Sequence, residues 1–123
     1  MVIKIVIGAN AGDEGKGLMT DFFCHQSAAQ GKKCLVVMHN GGAQRGHTVE
    51  LPDKPIRHVF HHFGSGTFAG ADTYLSEDFI INPIIFHQEW DVLTSLGYKP
   101  EVYVSPECKM TTPFDMIINQ IVE

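Results

Sequence analysis

Basic charge is scarce in this sequence. Nine Lys and Arg stand against fourteen Asp and Glu, a formal net charge of −5 over 123 residues. Nothing supplies the cationic face that a nucleic acid or an anionic membrane surface requires, so partners of both kinds are excluded. Cysteine is scarce too: Cys24, Cys34 and Cys108 are odd in number, widely spaced and free of any CxxC. Reduced structural thiols are therefore expected rather than a disulfide frame or a zinc site. No apolar run reaches the ~18 residues of a membrane-spanning helix. The opening residues are too short and too β-branched for a secretory signal and run straight into glycines, so the expected compartment is the cytoplasm. Repeats and low-complexity stretches are absent. What is present is a globular composition, 44% hydrophobic and 10% aromatic, at a length that makes one domain and buries roughly 65–70% of its unfolded surface.

The pattern along the chain is α/β. Residues 2–7 are a β-branched run that reads as a buried parallel strand. A glycine-rich stretch, residues 8–17, leads into apolar positions at helical spacing, Leu18, Met19, Phe22 and Phe23, with Gly31 as the stop. Residues 34–38 are the next buried strand, which makes the first forty residues a right-handed βαβ unit. A second polar, glycine-rich loop follows at 39–46, so both loops are expected at one sheet edge, where open α/β sheets bind ligands. Residues 47–51 and 57–63 read as a hairpin around a Pro-Asp-Lys-Pro turn. Pro83 begins a helix to about Leu96, capped by Asn82 and Gly97. Residues 102–104 form a short strand, and Thr112-Pro113 opens a last helix with the stripe Phe114, Ile117, Ile118, Ile121. That stripe meets Glu123 without a helix terminator, so the expected unit, 1–123, is a single amino-terminal nucleotide-binding domain cut within or just after a helix. Its fold class is P-loop-like or Rossmann-like: a mostly parallel sheet with flanking helices and a hairpin insertion.

Chemistry concentrates at Gly12-Asp-Glu-Gly-Lys-Gly17. Three glycines around one lysine let backbone N–H groups close on a polyanion while the ammonium reaches it, and the following helix adds its dipole. Against the pattern GxxxxGK[ST], Asn10 replaces the first glycine and Gly17 the magnesium-holding hydroxyl. Asp13 is the nearest group able to take the metal in its place. Kept ionised, it is also suited to accept a proton from a ring nitrogen of a substrate. Glu14 is the rival carboxylate, more simply explained as complementing the helix dipole. The bland alternative for the loop as a whole is a flexible turn.

In the second loop His47, between Gly46 and Thr48, is placed to donate to a phosphoryl oxygen. Seven histidines in the chain make any one a weak signal. On the hairpin, alternation puts His58 and His62 on one face, where a metal pair would still need a third ligand.

Together AGDEGKG, NGGAQRGHTV and a histidine-bearing strand running into GSG resemble the amino-terminal part of adenylosuccinate synthetase, whose pattern reads QWGDEGKGK, QGG-N-AGHT and HL-PSG. The resemblance spans essentially the whole chain but a third or less of a family member. It implies phosphorylation of the 6-oxygen of IMP by GTP with Mg2+, then displacement of the phosphate by L-aspartate. By motif position Asp13 is implied as the base at the purine N1 and a magnesium ligand, and His47 as the acid steadying the transferring phosphoryl. Gly15, Lys16 and Gly17 are implied at the GTP phosphates, residues 13–16 and 44–47 at IMP, and Gly12 and Glu14 among the nucleotide-binding residues. Gln44, Arg45, Gly46 and Thr48 are implied at the nucleotide, with the Gly46 carbonyl on magnesium.

Departures from the pattern are Ala11 for tryptophan, Leu18 for lysine, Gln44 for asparagine, Arg45 for alanine and Gly64 for proline. Several border the purine nucleotide. They keep open a related enzyme that makes 2-aminoadenylosuccinate from dGMP, although that branch often lacks the aspartate kept here at position 13. Also open are a nucleotide-binding module without ligase activity and a partner subunit. The guanine pocket and the aspartate loop of the family lie beyond residue 123, so the chain alone is expected to be inactive. An unfinished sheet edge further implies a homodimer or a complementing chain.

Overall fold

A computed structural model describes residues 2–10, 12 and 14–122. Helix α1, Lys16–Ala28, leads through a turn closed by left-handed Gly31 into strand β1, Leu35–Met38. A hairpin follows, β2 His47–Leu51 and β3 Ile56–Phe60, then a short 3-10 helix, Ser65–Ala69. Strand β4, Asp72–Leu75, and the two-residue β5, Ile80–Ile81, precede helix α2, Pro83–Ser95. The chain continues through β6, Val102–Val104, and β7, Lys109–Met110, to helix α3, Pro113–Val122.

The main sheet is parallel in the order β1-β4-β6, with Leu35 opposite Asp72 and Thr73 opposite Val102. The hairpin pairs His47 with Phe60, and β5 with β7 forms a small parallel pair. The expected α/β class, with flanking helices and an antiparallel hairpin, is the one observed.

The first segment differs. Residues 2–7 form no strand, and Val2, Ile3, Ile5 and Ile7 are exposed. A buried parallel strand needs a ladder neighbour, and no described strand lies beside this run. It passes along α1 instead, with Lys4 Nζ donating to Gln26 Oε1 at 2.9 Å and standing 4.0 Å over the Phe23 ring. The βαβ unit expected over the first forty residues is therefore not formed. The parallel crossovers run from β1 to β4 and from β4 to β6.

Helix α2 begins as its sequence specifies. Asn82 Oδ1 accepts from the Ile84 and Ile85 amides at 3.1 and 3.2 Å, with proline at the first helical position. Its inward residues Phe86, Trp90 and Leu93 meet Val49, Phe60, Phe63 and Phe68 in the main core, and Phe63 stacks on Phe86 at 5.0 Å. A second cluster, Met38, Leu75 and Phe79, lies at the carboxyl ends of β1 and β4 and shares Phe86 and Val102 with the first. Fully burying such side chains contributes ~1.5–3 kcal/mol each.

Two glycines record close approach. A Cβ on Gly66 would stand 2.3 Å from Cys24 Sγ, so α1 lies directly on the 3-10 helix. A Cβ on Gly64 would stand 2.5 Å from Val36 Cβ, and the Gly64 amide donates to Thr73 Oγ1 at 2.9 Å. Proline, the family residue at position 64, would lose that donor and meet Val36. Helix α3 has the expected cap, Thr112 Oγ1 accepting from the Asp115 amide at 3.3 Å while Asp115 Oδ2 accepts from the Thr112 amide at 2.7 Å, but buries none of its described residues.

Candidate functional site

The first loop is organised around a carboxylate of its own. Glu14 Oε1 accepts from the Asn10 amide at 2.9 Å and the Gly12 amide at 3.3 Å, while the Lys16 ammonium donates to Oε2. The Lys16 contact, with help from these amides, holds the Glu14 carboxyl down at about 2. Glu14 makes no capping hydrogen bond to α1. Its side chain turns back into the loop and occupies a ring of two amides and one ammonium, the donor set suited to a phosphate. Gly12 and Gly15, at φ 132° and 77°, hold left-handed conformations that let the loop close in this way. Asp13 lies outside the described residues.

The second loop is drawn onto the first through Gly17. A Cβ on Gly17 would stand 2.6 Å from His47 Cβ and 3.2 Å from its Cα, so the first turn of α1 lies against the start of β2. His47 is half-buried. Burial first, then the charges of Arg45 and Lys16, lowers its pKa and keeps the imidazole neutral. Lys16, Gly17 and His47 therefore converge as the spacing of the two motifs implies, whereas Gln44, Gly46 and Thr48 stand exposed on the outer side of the second loop.

Arg45 faces inward. Its Nε donates to the His61 carbonyl at 2.7 Å, Nη2 lies 3.4 Å from Met38 Sδ, and the guanidinium sits 5.0 Å over the Phe79 ring. Burial lowers its pKa to about 10, opposed by the charge of Glu89. His61 Nδ1 lies 2.5 Å from the Arg45 carbonyl, which requires a protonated, donating Nδ1.

Glu89 is a site residue that the sequence reading passed over. It is 5% exposed on the core-facing side of α2. Its carboxylate accepts from the His61 amide at 3.0 Å and the His62 amide at 2.7 Å, with His58 Nε2 at 3.3 Å. Both amides are taken by the carboxylate where the chain leaves the hairpin, and β3 ends at Phe60 rather than at residue 63. His62 Nε2 accepts from the Asn82 amide at 2.9 Å, so its protonated Nδ1 faces Glu89 Oε2 at 3.7 Å. The hairpin histidines thus converge on a carboxylate, and no group of three or more His, Cys, Asp or Glu is placed for a metal among the described residues. A visible signal existed: an acid among Phe86, Trp90 and Leu93, at the spacing of the apolar stripe.

Burial alone would raise the Glu89 carboxyl, but the hydrogen bonds from His58 and the two amides, with the His62 ring N–H close by at 3.7 Å, outweigh it and hold the group at about 2, against an ordinary 4.5. A depressed carboxyl stabilises the fold in full above pH 4.5, and that contribution is lost as pH falls toward 2. Its size is about 3 kcal/mol. Denaturant titrations between pH 6 and 3, pH values chosen for the experiment and set by about this window, are expected to show this slope in the wild type and a flatter one in Glu89→Gln. Parallel slopes would assign the acid sensitivity elsewhere.

The adenylosuccinate synthetase family model matches residues 5–123. An adenylosuccinate synthetase of Borrelia duttonii is 33% identical over 123 residues, covering 100% of this chain and 27% of its own length. The Clostridium perfringens enzyme is 32% identical over 97% of this chain, again 27% of its own length. A solved structure of fully ligated adenylosuccinate synthetase from Plasmodium falciparum superposes with a TM-score of 0.76 at 26% identity, over 94% of this chain and 26% of that one. The chain spans about a quarter of the length of these relatives. A match across nearly all its residues, on a fold that brings the GDEGKG and GHT motifs together, places it in the adenylosuccinate synthetase family as the amino-terminal portion.

Proposed function

We propose that this chain is the phosphate- and purine-nucleotide-binding part of a ligase that joins L-aspartate to IMP at the expense of GTP. The observation that carries the proposal is the meeting of α1's first turn with His47 across Gly17. That contact supports a lysine, glycine amides and an imidazole acting together, the parts that phosphoryl transfer needs for positioning and charge stabilisation.

In this reading the Asn10 and Gly12 amides and Lys16 exchange the Glu14 carboxylate for the GTP phosphates, and Gly15 and Gly17 admit the close backbone approach. Asp13 takes the proton from the purine N1 so that the 6-oxygen attacks the γ-phosphorus. His47 donates to the γ-phosphoryl as charge develops on it and on the departing GDP. The amine of aspartate then displaces the phosphate. Asp13 and the Gly46 carbonyl are the groups that would hold Mg2+, which supplies charge neutralisation on the phosphates when bound. Gln44, Arg45 and Thr48 complete the nucleotide side, Arg45 by shaping the loop from within. The aspartate pocket is assigned to polypeptide beyond this quarter of the family length, so the chain by itself is expected to bind nucleotide without ligating. The exposed apolar residues of 2–7 and α3 support association with a second copy or a complementing chain.

Calorimetry with magnesium–GTP, then with IMP or dGMP added, tests the reading. Binding of GTP enhanced by IMP supports it. Enhancement by dGMP alone redirects it to 2-aminoadenylosuccinate synthesis, and GTP binding indifferent to either monophosphate redirects it to a simple nucleotide-binding module. A polyanion beside His47 must raise its lowered pKa, so binding takes up a proton and affinity rises as pH falls through the imidazole range. The binding enthalpy is accordingly expected to vary with the ionisation enthalpy of the buffer, and a His47→Gln variant to lose that dependence.

A further inference from the structure

We propose that Glu89 is a positioning residue for the His47 loop, acting through His61 and Arg45. The proposal deepens the reading of His47 as a nucleotide-site residue and rests on it for its functional consequence.

The path is continuous. Glu89, 5% exposed, fixes two successive backbone amides, His61 and His62, at 3.0 and 2.7 Å. A carboxylate accepting two charge-assisted bonds from a bending segment holds that segment in one arrangement. The segment then grips the second loop at Arg45 twice: the Arg45 Nε donates to the His61 carbonyl at 2.7 Å, and His61 Nδ1 donates to the Arg45 carbonyl at 2.5 Å. The reciprocal pair fixes the Arg45 backbone and side chain together. The guanidinium is further confined by the Phe79 ring at 5.0 Å and Met38 Sδ at 3.4 Å. A buried guanidinium without a counter-charge is costly, and Glu89 is an acid whose charge acts on it. Gly46 follows Arg45, and a Cβ there would come within 2.9 Å of Val59 Cγ1, so the chain has little lateral freedom before His47. His47 in turn abuts Gly17. An acid on α2 thus sets the imidazole's distance from the lysine loop without touching either.

A merely structural Glu89 and a positioning one differ at His47. The decisive pair is His61→Leu, which removes the Nδ1–H donor but leaves both amides on Glu89, and His61→Asn, whose side-chain N–H can replace that donor. The readouts are the NMR chemical shifts of the His47 and Gly17 amides in the ligand-free protein at one fixed pH, and the magnesium–GTP affinity. His61→Leu is expected to move both amide signals and weaken nucleotide binding about fivefold or more, and His61→Asn to restore both. Glu89→Gln, where it folds, is expected to act as His61→Leu does, with no added loss when combined with Arg45→Met. His47 and Gly17 amide signals identical in wild type and His61→Leu overturn the proposal, as does a combined loss from Glu89→Gln and Arg45→Met equal to the sum of the two. If the wild type binds no nucleotide, the reading of the site fails while the amide signals still judge the relay.

Discussion

Gly17→Ala is expected to remove measurable magnesium–GTP binding while leaving a folded protein. The added Cβ would lie 2.6 Å from His47 Cβ and 3.2 Å from its Cα, atoms close to the backbone that no rotamer change can withdraw. Either the first turn of α1 or the start of β2 must move by about 1 Å. Overpacking of this kind destabilises by ~1–3 kcal/mol, which circular dichroism and thermal melting would register as a lowered but cooperative transition. Displacement on that scale separates His47 from Lys16, and losing the charge-assisted hydrogen bonds of both to the phosphates, ~1.5–3 kcal/mol each, lowers affinity by about 100-fold or more. Calorimetry returning wild-type affinity from a folded Gly17→Ala protein would show that the two loops need not meet to bind nucleotide.

Lys16→Ala has the second largest expected effect. In the ligand-free loop the ammonium bonds to Glu14, together with the Asn10 and Gly12 amides. Removing it leaves Glu14 as an anion in a phosphate site with its main counter-charge gone. A charge-assisted hydrogen bond contributes ~1.5–3 kcal/mol, so a loss of about 10- to 100-fold in affinity is expected from Lys16 alone. The uncompensated Glu14 adds repulsion to it. The double variant Lys16→Ala with Glu14→Gln separates the two, and partial recovery of affinity is expected because the competing charge has gone. If Lys16→Ala binds inorganic tripolyphosphate and magnesium–GTP as tightly as the wild type, Lys16 is not at the phosphates.

Local signals read correctly were those whose physics is local. Asn82 before Pro83 places a side-chain carbonyl acceptor and a preset φ at one point, and α2 starts there. Thr112-Pro113 does the same for α3. The Pro-Asp-Lys-Pro turn between alternating segments made the hairpin legible, and its first strand, His47–Leu51, lies where expected, while the second runs over Ile56–Phe60 rather than 57–63. The run at 2–7 shows the limit of such reading. Apolar composition says that a segment wants burial, but burial as a strand needs partners elsewhere in the chain, and none of the described strands lies beside it. GDEGKG and GHT supplied the residue types of a phosphate site and were expected at one sheet edge, but the strand expected to fix that edge, residues 2–7, does not form, so the sequence did not show how the twenty-eight residues between the motifs bring them together. Close packing at Gly17 did that.

By itself the sequence determined the class of the fold, the capped helices, the hairpin and the motif pair that carries the family likeness, because backbone propensity, turn chemistry and side-chain type act over a few residues. Only the tertiary structure decided that Glu14 fills the donor ring, that Arg45 turns inward, and that Glu89 holds the bend after β3. Each depends on which groups meet across tens of residues when water is removed, and a buried charge is satisfied by whatever partner the packing brings to it.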